Sequence, residues 1–158
     1  AKIIHTVPLR YVGVFQNQKI DYVIFIAITL QLHAVQLHGN ENQQYIYELR
    51  QKLSDNIEIW KVFSISDTIP IKYFDCVKYF IFDNHTGGSG ITFNWNLLTQ
   101  SIPNNVLLAG GLNLNNCIKA SCLGFCGLDF NSGIEKLPGI KDHQKIYLIF
   151  KKLKNSFL

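Results

Sequence analysis

The sequence predicts an α/β fold made of repeated strand–helix units around a parallel sheet. Six short apolar runs have the character of buried strands, and they recur about every 21–27 residues, the length of one strand, one helix and two turns. The segments between the runs have room for helices. Repeated units of this kind form either an open doubly wound sheet or a closed barrel, and the pattern is compatible with both.

The predicted strands share a core of Val, Ile, Leu and Phe and end close to polar or glycine residues. They are Arg10–Phe15, Ala34–His38, Ile57–Phe63, Tyr79–Asp83, Val106–Gly110 and Gly127–Asn131. His38, Asp83, Gly110-Gly111 and Asp129 with Asn131 and Ser132 all lie at or near C-terminal ends. Both architectures place their sites at that edge, so these residues predict a site without choosing between barrel and open sheet.

Helices are predicted between the strands. Glu41 to Ser54 carries apolar residues at helical spacing. Asn113 is a candidate N-cap for a helix over Leu114 to Ser121, and Asp142 for the last helix. Tyr22 to Leu32 has the β-branched residues of a strand, but its place between two strands predicts a helix. A helix so apolar on all sides should be covered by something else.

Composition restricts the class of protein. The 158 residues predict one domain, residues 1–158, and the net charge of +4 is mild. The cluster Lys151-Lys152-Leu153-Lys154 fits the last turn of a helix, and no basic stripe with interleaved aromatics favours nucleic-acid binding. Tyr22 to Leu32 is too short to span a bilayer. The four cysteines form no zinc-type pairs, and the sequence predicts a reducing, cytoplasmic location without membrane partners.

Two glycine-bearing loops are candidates for binding phosphate. Ala109-Gly110-Gly111 ends one strand, with a helix expected to start near Asn113, and Asn131-Ser132-Gly133 ends the next. Such loops expose backbone N–H groups, and a helix N-terminus would add positive potential. In barrels the loops after the last two strands are a frequent phosphate site. The alternative is that Gly110-Gly111 is only a tight turn.

Asp83 is the candidate general acid. It ends the apolar run Phe80-Ile81-Phe82 and is followed by a loop containing His85 and Gly87-Gly88-Ser89-Gly90. Burial at a strand end would raise the pKa of a carboxyl group, which suits an acid, whereas a salt bridge or a helix cap is the plainer interpretation. His38 could contact a substrate, although a lone histidine is more often structural. The cysteines lie away from this edge.

Several stretches together resemble one family, phosphoribosylanthranilate isomerase of tryptophan biosynthesis. They run in order along most of the chain: Val12–Phe15, Ala34–Glu41, Asp83 with Gly87–Gly90, Phe93–Trp95, Leu107–Leu112, Leu128–Glu135 and Pro138–Asp142. These stretches are most similar to the enterobacterial form of the family, in which the isomerase follows a fused indole-3-glycerol-phosphate synthase. Each stretch alone is a weak motif, and the ordered set is specific.

The resemblance implies a (βα)8 TIM barrel of which this chain holds units three to eight. The first two units, absent from this sequence, carry a Cys-Gly-x-Thr motif with the family's general base and an arginine that helps to hold the anthranilate. Asp83 takes the position of the acid. The implied binding residues are His38, Gly88, Ser89, Gly90, Gly110, Gly111, Asn131, Ser132 and Gly133. The Gly87–Gly90 loop would cover the ligand.

The implied reaction is an Amadori rearrangement of N-(5-phosphoribosyl)anthranilate. An acid protonates the ribose ring oxygen and the ring opens to a Schiff base; a base then removes the C2 proton, and the enolamine tautomerises to the ketone. The reaction requires no metal or other cofactor. Two alternatives remain at the level of the sequence. One is the related isomerase of histidine biosynthesis, against which the lack of a half-to-half repeat counts. The other is a non-catalytic remnant of a phosphosugar-binding barrel.

Overall fold

The computed structural model describes residues 7–69, 74–84, 91–98 and 102–156. Within them a parallel sheet of six strands has the order β1-β2-β3-β4-β5-β6. The strands are β1 (Val12–Phe15), β2 (Ala34–Leu37), β3 (Glu58–Ile65), β4 (Tyr79–Asn84), β5 (Val106–Leu108) and β6 (Gly127–Leu128). The helices are α1 (Ile20–Thr29), α2 (Gln43–Lys52), α3 (Cys117–Ser121) and α4 (His143–Ser156), with short 3-10 turns at Trp95–Leu97 and Ser132–Ile134.

All six predicted strands are present, and their order decides one question that the sequence left open. Each strand neighbours those that precede and follow it in the chain. A doubly wound sheet reverses its strand order at a switch point, whereas a βα barrel does not. The sheet therefore has the sequential order of a βα barrel, and β1 and β6 are its outer strands among the described residues.

Helix α1 confirms the prediction from spacing over the prediction from propensity. Parallel strands β1 and β2 need a crossover between them, and a helix is the usual form. Val23 and Ala27 are fully buried, while the opposite side of the helix exposes a row of large apolar residues. These are Tyr22, Phe25 and Ile28, which are 52%, 63% and 59% exposed.

Helix α2 begins two residues later than the sequence suggested. The Asn42 side chain accepts a hydrogen bond from the backbone N–H of Tyr45 at 2.9 Å, which makes Asn42 the N-cap. Glu41 stays outside the helix because its carboxylate is engaged elsewhere, in contacts described below. Ile46 and Leu49 form the buried side of α2, which packs against α1.

The two predicted caps in the second half of the chain had different outcomes. Asp142 caps α4 as predicted, since its Oδ1 accepts from the N–H groups of Gln144 and Lys145 at 2.9 and 3.1 Å. The prediction for Asn113 was wrong: α3 begins only at Cys117. The Asn113 Oδ1 accepts from the N–H of Asn115 at 2.9 Å and its carbonyl from the N–H of Cys117 at 3.0 Å, so Asn113 caps a separate turn that precedes α3.

A short antiparallel hairpin, β7 (Glu135–Leu137) with β8 (Ile140–Lys141), follows the sheet and was not predicted. Its turn includes Gly139 at φ +79°, a conformation that favours glycine. Lys141 reaches back across the hairpin, with Nζ 2.7 Å from Oε1 of Glu135. This contact and a hydrogen bond from the N–H of Gly139 lower the pKa of Glu135.

The chain divides into two compact units, residues 1–62 with 72–80 and residues 63–71 with 81–158. In the first, Trp60 packs edge-on against Tyr79 with ring centres 5.4 Å apart. In the second, the Phe82 ring contacts those of Phe63 and Phe125 at 6.5 and 6.0 Å. No helix among the described residues is long and apolar enough to cross a membrane.

Candidate functional site

Asp83 lies directly against the glycine turn that follows β5. Ala109 donates its N–H to the carbonyl of Phe82 at 2.8 Å, and this bond holds the end of β5 beside β4. A methyl group at position 110 would place its carbon 2.6 Å from Oδ1 of Asp83 and 2.5 Å from the backbone nitrogen of Asn84. The carboxylate and the Gly110 backbone are therefore in contact, and only glycine fits.

The half-buried Asp83 carboxylate is held in position by its own strand. Oδ1 accepts a hydrogen bond from the N–H of Asn84 at 2.7 Å. The Asn84 side chain in turn donates to the carbonyl of Ile91 at 2.7 Å. The carboxylate thus sits on a β-strand rather than on a loop, which gives it a defined direction.

The second glycine of the turn is packed just as closely. Gly111 has φ +66°, and a methyl carbon there would lie 2.5 Å from the carbonyl carbon of Ile91 and 2.7 Å from the nitrogen of Thr92. Its own carbonyl accepts from the side-chain amides of Asn113 and Asn116, both at 3.0 Å. The turn is therefore fixed by its neighbours on both sides.

The loop after β6 lies against the same turn. A methyl group at Gly133 would collide with the carbonyl oxygen of Leu112 and lie 3.0 Å from Cβ of Asn113. Ser132 begins the 3-10 turn Ser132–Ile134. The two glycine loops that the sequence predicted to share a ligand are therefore neighbours, within one compact unit that also contains Asp83.

The side chain of Asn131, at the start of the second glycine loop, is bound by the ammonium group of Lys141. Lys141 Nζ lies 2.6 Å from its Oδ1 and 3.1 Å from its carbonyl oxygen. The same ammonium group contacts Glu135. The hairpin thereby ties down the start of the loop that carries Ser132 and Gly133.

One part of the phosphate argument has to be corrected. The expected helix near Asn113 would have directed its N-terminus at the glycine turn, but α3 starts at Cys117 and has only five residues. A helix of that length that begins away from the turn adds little positive potential. What remains for an anion is the backbone of the two loops, because the ammonium group of Lys141 is already paired with Glu135.

The other predicted site residues are placed as follows. His38 directly follows β2 in the first compact unit; it is half-buried, and its N–H donates to the carbonyl of Phe15 at 2.8 Å. Asp129 follows β6, and its N–H donates to the carbonyl of Leu108 at 2.8 Å. His85 and the segment Gly87-Gly88-Ser89-Gly90 lie outside the described residues.

The cysteines have the positions that the sequence predicted. Cys76 and Cys126 precede β4 and β6, Cys117 begins α3 and Cys122 directly follows it, and all four are thiols. Burial raises the pKa of the Cys76 and Cys126 thiols, which disfavours the nucleophilic thiolate. Among the described residues, no cluster of three His, Cys, Asp or Glu side chains is arranged to hold a metal ion.

Sequence analysis missed a buried ion pair between Glu41, in the loop after β2, and Lys61, in the middle of β3. Lys61 Nζ lies 2.8 Å from Oε2 of Glu41, and the two residues are only 4% and 7% exposed. Burial raises the pKa of Glu41, but hydrogen bonds from Lys61 and from the N–H of Asn17 outweigh it and hold the pKa below its usual 4.5. A lysine inside the apolar run of β3 was the available signal, because a buried charge requires a partner.

A known family of proteins is similar to this chain in sequence. A sequence model of the family described as N-(5'phosphoribosyl)anthranilate (PRA) isomerase matches residues 1–152. The tryptophan biosynthesis protein TrpCF of Buchnera aphidicola subsp. Schizaphis graminum is 57% identical over 96% of this chain. The TrpCF protein of Salmonella typhi is 47% identical over 97% of it. The chain spans about a third of the length of these curated relatives, 34% of each.

Solved structures show the same likeness. The phosphoribosyl anthranilate isomerase of Thermus thermophilus has 25% identity and a TM-score of 0.82, with 96% of this chain and 76% of that one covered. A phosphoribosyl anthranilate isomerase in complex with reduced 1-(o-carboxyphenylamino)-1-deoxyribulose 5-phosphate has 26% identity and a TM-score of 0.73. It covers 98% of this chain and 77% of that structure.

Proposed function

The chain belongs to the N-(5'-phosphoribosyl)anthranilate isomerase family, and we propose that it supplies the general acid and the phosphate-binding loops of such an enzyme. The reaction is the Amadori rearrangement of N-(5-phosphoribosyl)anthranilate to 1-(o-carboxyphenylamino)-1-deoxyribulose 5-phosphate, an aldose–ketose isomerisation. Two printed names support the assignment: the TrpCF relatives act in tryptophan biosynthesis, and one structural neighbour holds the reduced form of this product.

The contact between Asp83 and Gly110 carries the proposal. The substrate has a phosphate at one end of its ribose and a ring oxygen that must be protonated a few bonds away. The Asp83 carboxylate lies against the Gly110 backbone, and we infer that a phosphate bound by the adjacent loops brings the ring oxygen within its reach. A positioned acid of this kind contributes about 10²–10⁴-fold to rate.

The phosphate is assigned to the backbone of Gly110, Gly111, Ser132 and Gly133. The two loops lie against each other, because a Cβ at Gly133 would collide with the carbonyl of Leu112. We infer that the backbone N–H groups of these neighbouring loops bind the phosphate oxygens together. Asn131 is assigned to this group on the basis of the resemblance, and its Oδ1 accepts a hydrogen bond from Lys141. His38 and the loop residues Gly88, Ser89 and Gly90 are proposed as further substrate contacts on the basis of the resemblance.

We place the chain as units three to eight of a (βα)8 barrel, residues 1–158 being one N-terminally incomplete domain. The sequential order of the six strands supports this arrangement. In the proposed barrel, β1 and β6 each pair with one of two further strands. The general base, a cysteine, and the anthranilate-binding arginine belong to the units that this sequence does not include. Asp83 alone could open the ring but would have no partner for C2 proton removal.

The bifunctional organisation of the relatives extends the proposal to a fused partner. TrpCF relatives are about three times as long as this chain, and we propose an indole-3-glycerol-phosphate synthase domain upstream, with its lyase and decarboxylase chemistry. We also place the enzyme in the cytoplasm, because its four cysteines are free thiols, as a reducing compartment keeps them.

The test uses this chain joined behind the sequence that precedes the matched segment in the 57% identical Buchnera relative, referred to below as the completed enzyme. Asp83→Asn should lower its isomerase turnover by about 10²–10⁴-fold without unfolding it, because the amide keeps the shape of the side chain but has no acidic proton to transfer. Asp142→Asn is the matched control, since asparagine caps a helix as well as aspartate does.

Two outcomes would contradict the assignment. Turnover of the Asp83 variant within a few-fold of wild type would remove Asp83 as the acid. A completed enzyme that neither turns over the substrate nor binds the reduced product would favour the non-catalytic remnant instead.

A further inference from the structure

The buried ion pair of Glu41 and Lys61 has no role in the chemistry described so far. Its side chains are almost fully enclosed, at 1% and 5% exposure. A buried ion pair is often no more stabilising than apolar residues of similar volume, because both charges lose their hydration. The pair lies beside the carboxyl end of β2, where Leu37 is the register partner of Lys61, and this position points to a role other than stability.

The pair forms hydrogen bonds with the backbone on both sides of His38. Lys61 Nζ donates to the carbonyl of Gly39 at 2.6 Å and lies 3.4 Å from the carbonyl of Leu37. Oε2 of Glu41 accepts from the N–H of Gly39 at 2.9 Å. Both polar groups of Gly39 and the carbonyl that precedes His38 are thereby fixed by two charged side chains.

The loop after β1 adds further hydrogen bonds to the same segment. Oε1 of Glu41 accepts from the N–H of Asn17 at 2.8 Å, and Oδ1 of Asn17 accepts from the N–H of Asn40 at 2.7 Å. A methyl group at Gly39 would lie 2.8 Å from the backbone nitrogen of Asn17, so the two loops are in close contact. The backbone around His38 has little freedom to move.

We propose that Glu41 and Lys61 are positioning residues for the isomerase, which hold the backbone on both sides of His38 so that its imidazole is presented to the substrate. The proposal rests on the function proposed above, in which His38 contacts the substrate. The pair acts through His38 and does not itself touch the reacting atoms.

Removal of the ammonium group should therefore disturb His38. In Lys61→Met the carbonyls of Leu37 and Gly39 lose their charged donor, and the Glu41 carboxylate keeps its burial without its cation. The backbone on both sides of His38 is then held less firmly, and we expect the imidazole to be positioned less well for the substrate. The loss of one well-placed hydrogen bond to the ligand weakens affinity about tenfold.

The experiment is a double-mutant cycle on the completed enzyme, read as the Kd for reduced 1-(o-carboxyphenylamino)-1-deoxyribulose 5-phosphate and as KM and kcat. Lys61→Met should raise Kd and KM about tenfold when His38 is present, and less than about twofold in the His38→Ala background. Lys52→Met is the matched control, because this exposed lysine faces the exposed Asp21 at 3.8 Å and such pairs contribute little.

Equal losses in both backgrounds would overturn the positioning role, since a general structural effect does not depend on His38. If Lys61→Met does not fold, Glu41→Gln enters the same cycle with the same criterion. An unmodified completed enzyme that fails to bind the reduced product would defeat the proposed function and this inference together. Binding with additive losses would defeat only the inference.

Discussion

Substitution of alanine for Gly110 tests the central contact of the candidate site. Gly110 has φ +79°, in the left-handed region that L-residues avoid. Alanine would have to adopt that conformation at a cost of about 1–2 kcal/mol, or shift the turn. This part of the cost comes from the backbone alone and would occur at any glycine with a similar φ.

The second part of the cost comes from the neighbours of Gly110. The added carbon would lie 2.5 Å from the nitrogen of Asn84 and 2.6 Å from Oδ1 of Asp83. Non-bonded heavy atoms rest at about 3.5 Å, so one group must move by about 1 Å. Overpacking of this kind costs about 1–3 kcal/mol, which gives a total loss of unfolding free energy of about 2–5 kcal/mol.

Gly124→Ala separates the two parts. Gly124 has a similar φ of +84°, and no described heavy atom lies within 4 Å of the position that its added carbon would take. In the completed enzyme, the unfolding free energy measured in urea should fall by the backbone cost alone in Gly124→Ala and by the full amount in Gly110→Ala. Isomerase turnover of the completed enzyme should fall by about 10²-fold in Gly110→Ala alone, because a 1 Å displacement of a catalytic group has an effect of that size.

Equal stability of the two variants, with turnover of Gly110→Ala within a few-fold of wild type, would refute the reasoning. It would mean that the Asp83 carboxylate does not lie against the turn or does not act in the reaction.

Three further predictions concern acidity, anions and the isolated chain. Because the pKa of Glu41 is lowered, its contribution to stability is present above pH 4.5, the ordinary value, and is lost as the pH falls through the lower folded value. The unfolding free energy measured in urea should therefore fall between pH 7 and pH 3, and Glu41→Gln should reduce this fall. Crystals grown with sulfate or phosphate should hold an anion at Gly110-Gly111 and Ser132-Gly133, and an anion elsewhere, with these N–H groups turned away, would contradict the assignment. Residues 1–158 purified alone should associate through the outer strands and show no turnover; a monomer that isomerises substrate unaided would disprove both the strand count and the placing of the base outside this sequence.

The sequence by itself determined the elements of the sheet and the residues at their ends. Apolar runs such as Tyr79–Asp83 are local patterns, and the distance between runs leaves room for a crossover helix. That is why spacing correctly assigned α1 as a helix against the propensity of its β-branched residues. Asp142 was also found as a cap because capping involves only the next three residues.

Only the tertiary structure decided what lies beside these residues. Gly110 abuts Asp83, and Glu41 reaches Lys61, across 27 and 20 positions of sequence, because the pairing of neighbouring strands brings these residues together. The start of α3 was mispredicted for a related reason: the side chains of Asn113 and Asn116 bind the carbonyl of Gly111, and the turn that they form delays the helix. Local patterns specify which residues end a strand, but contacts between strand ends depend on register, which only the folded sheet fixes.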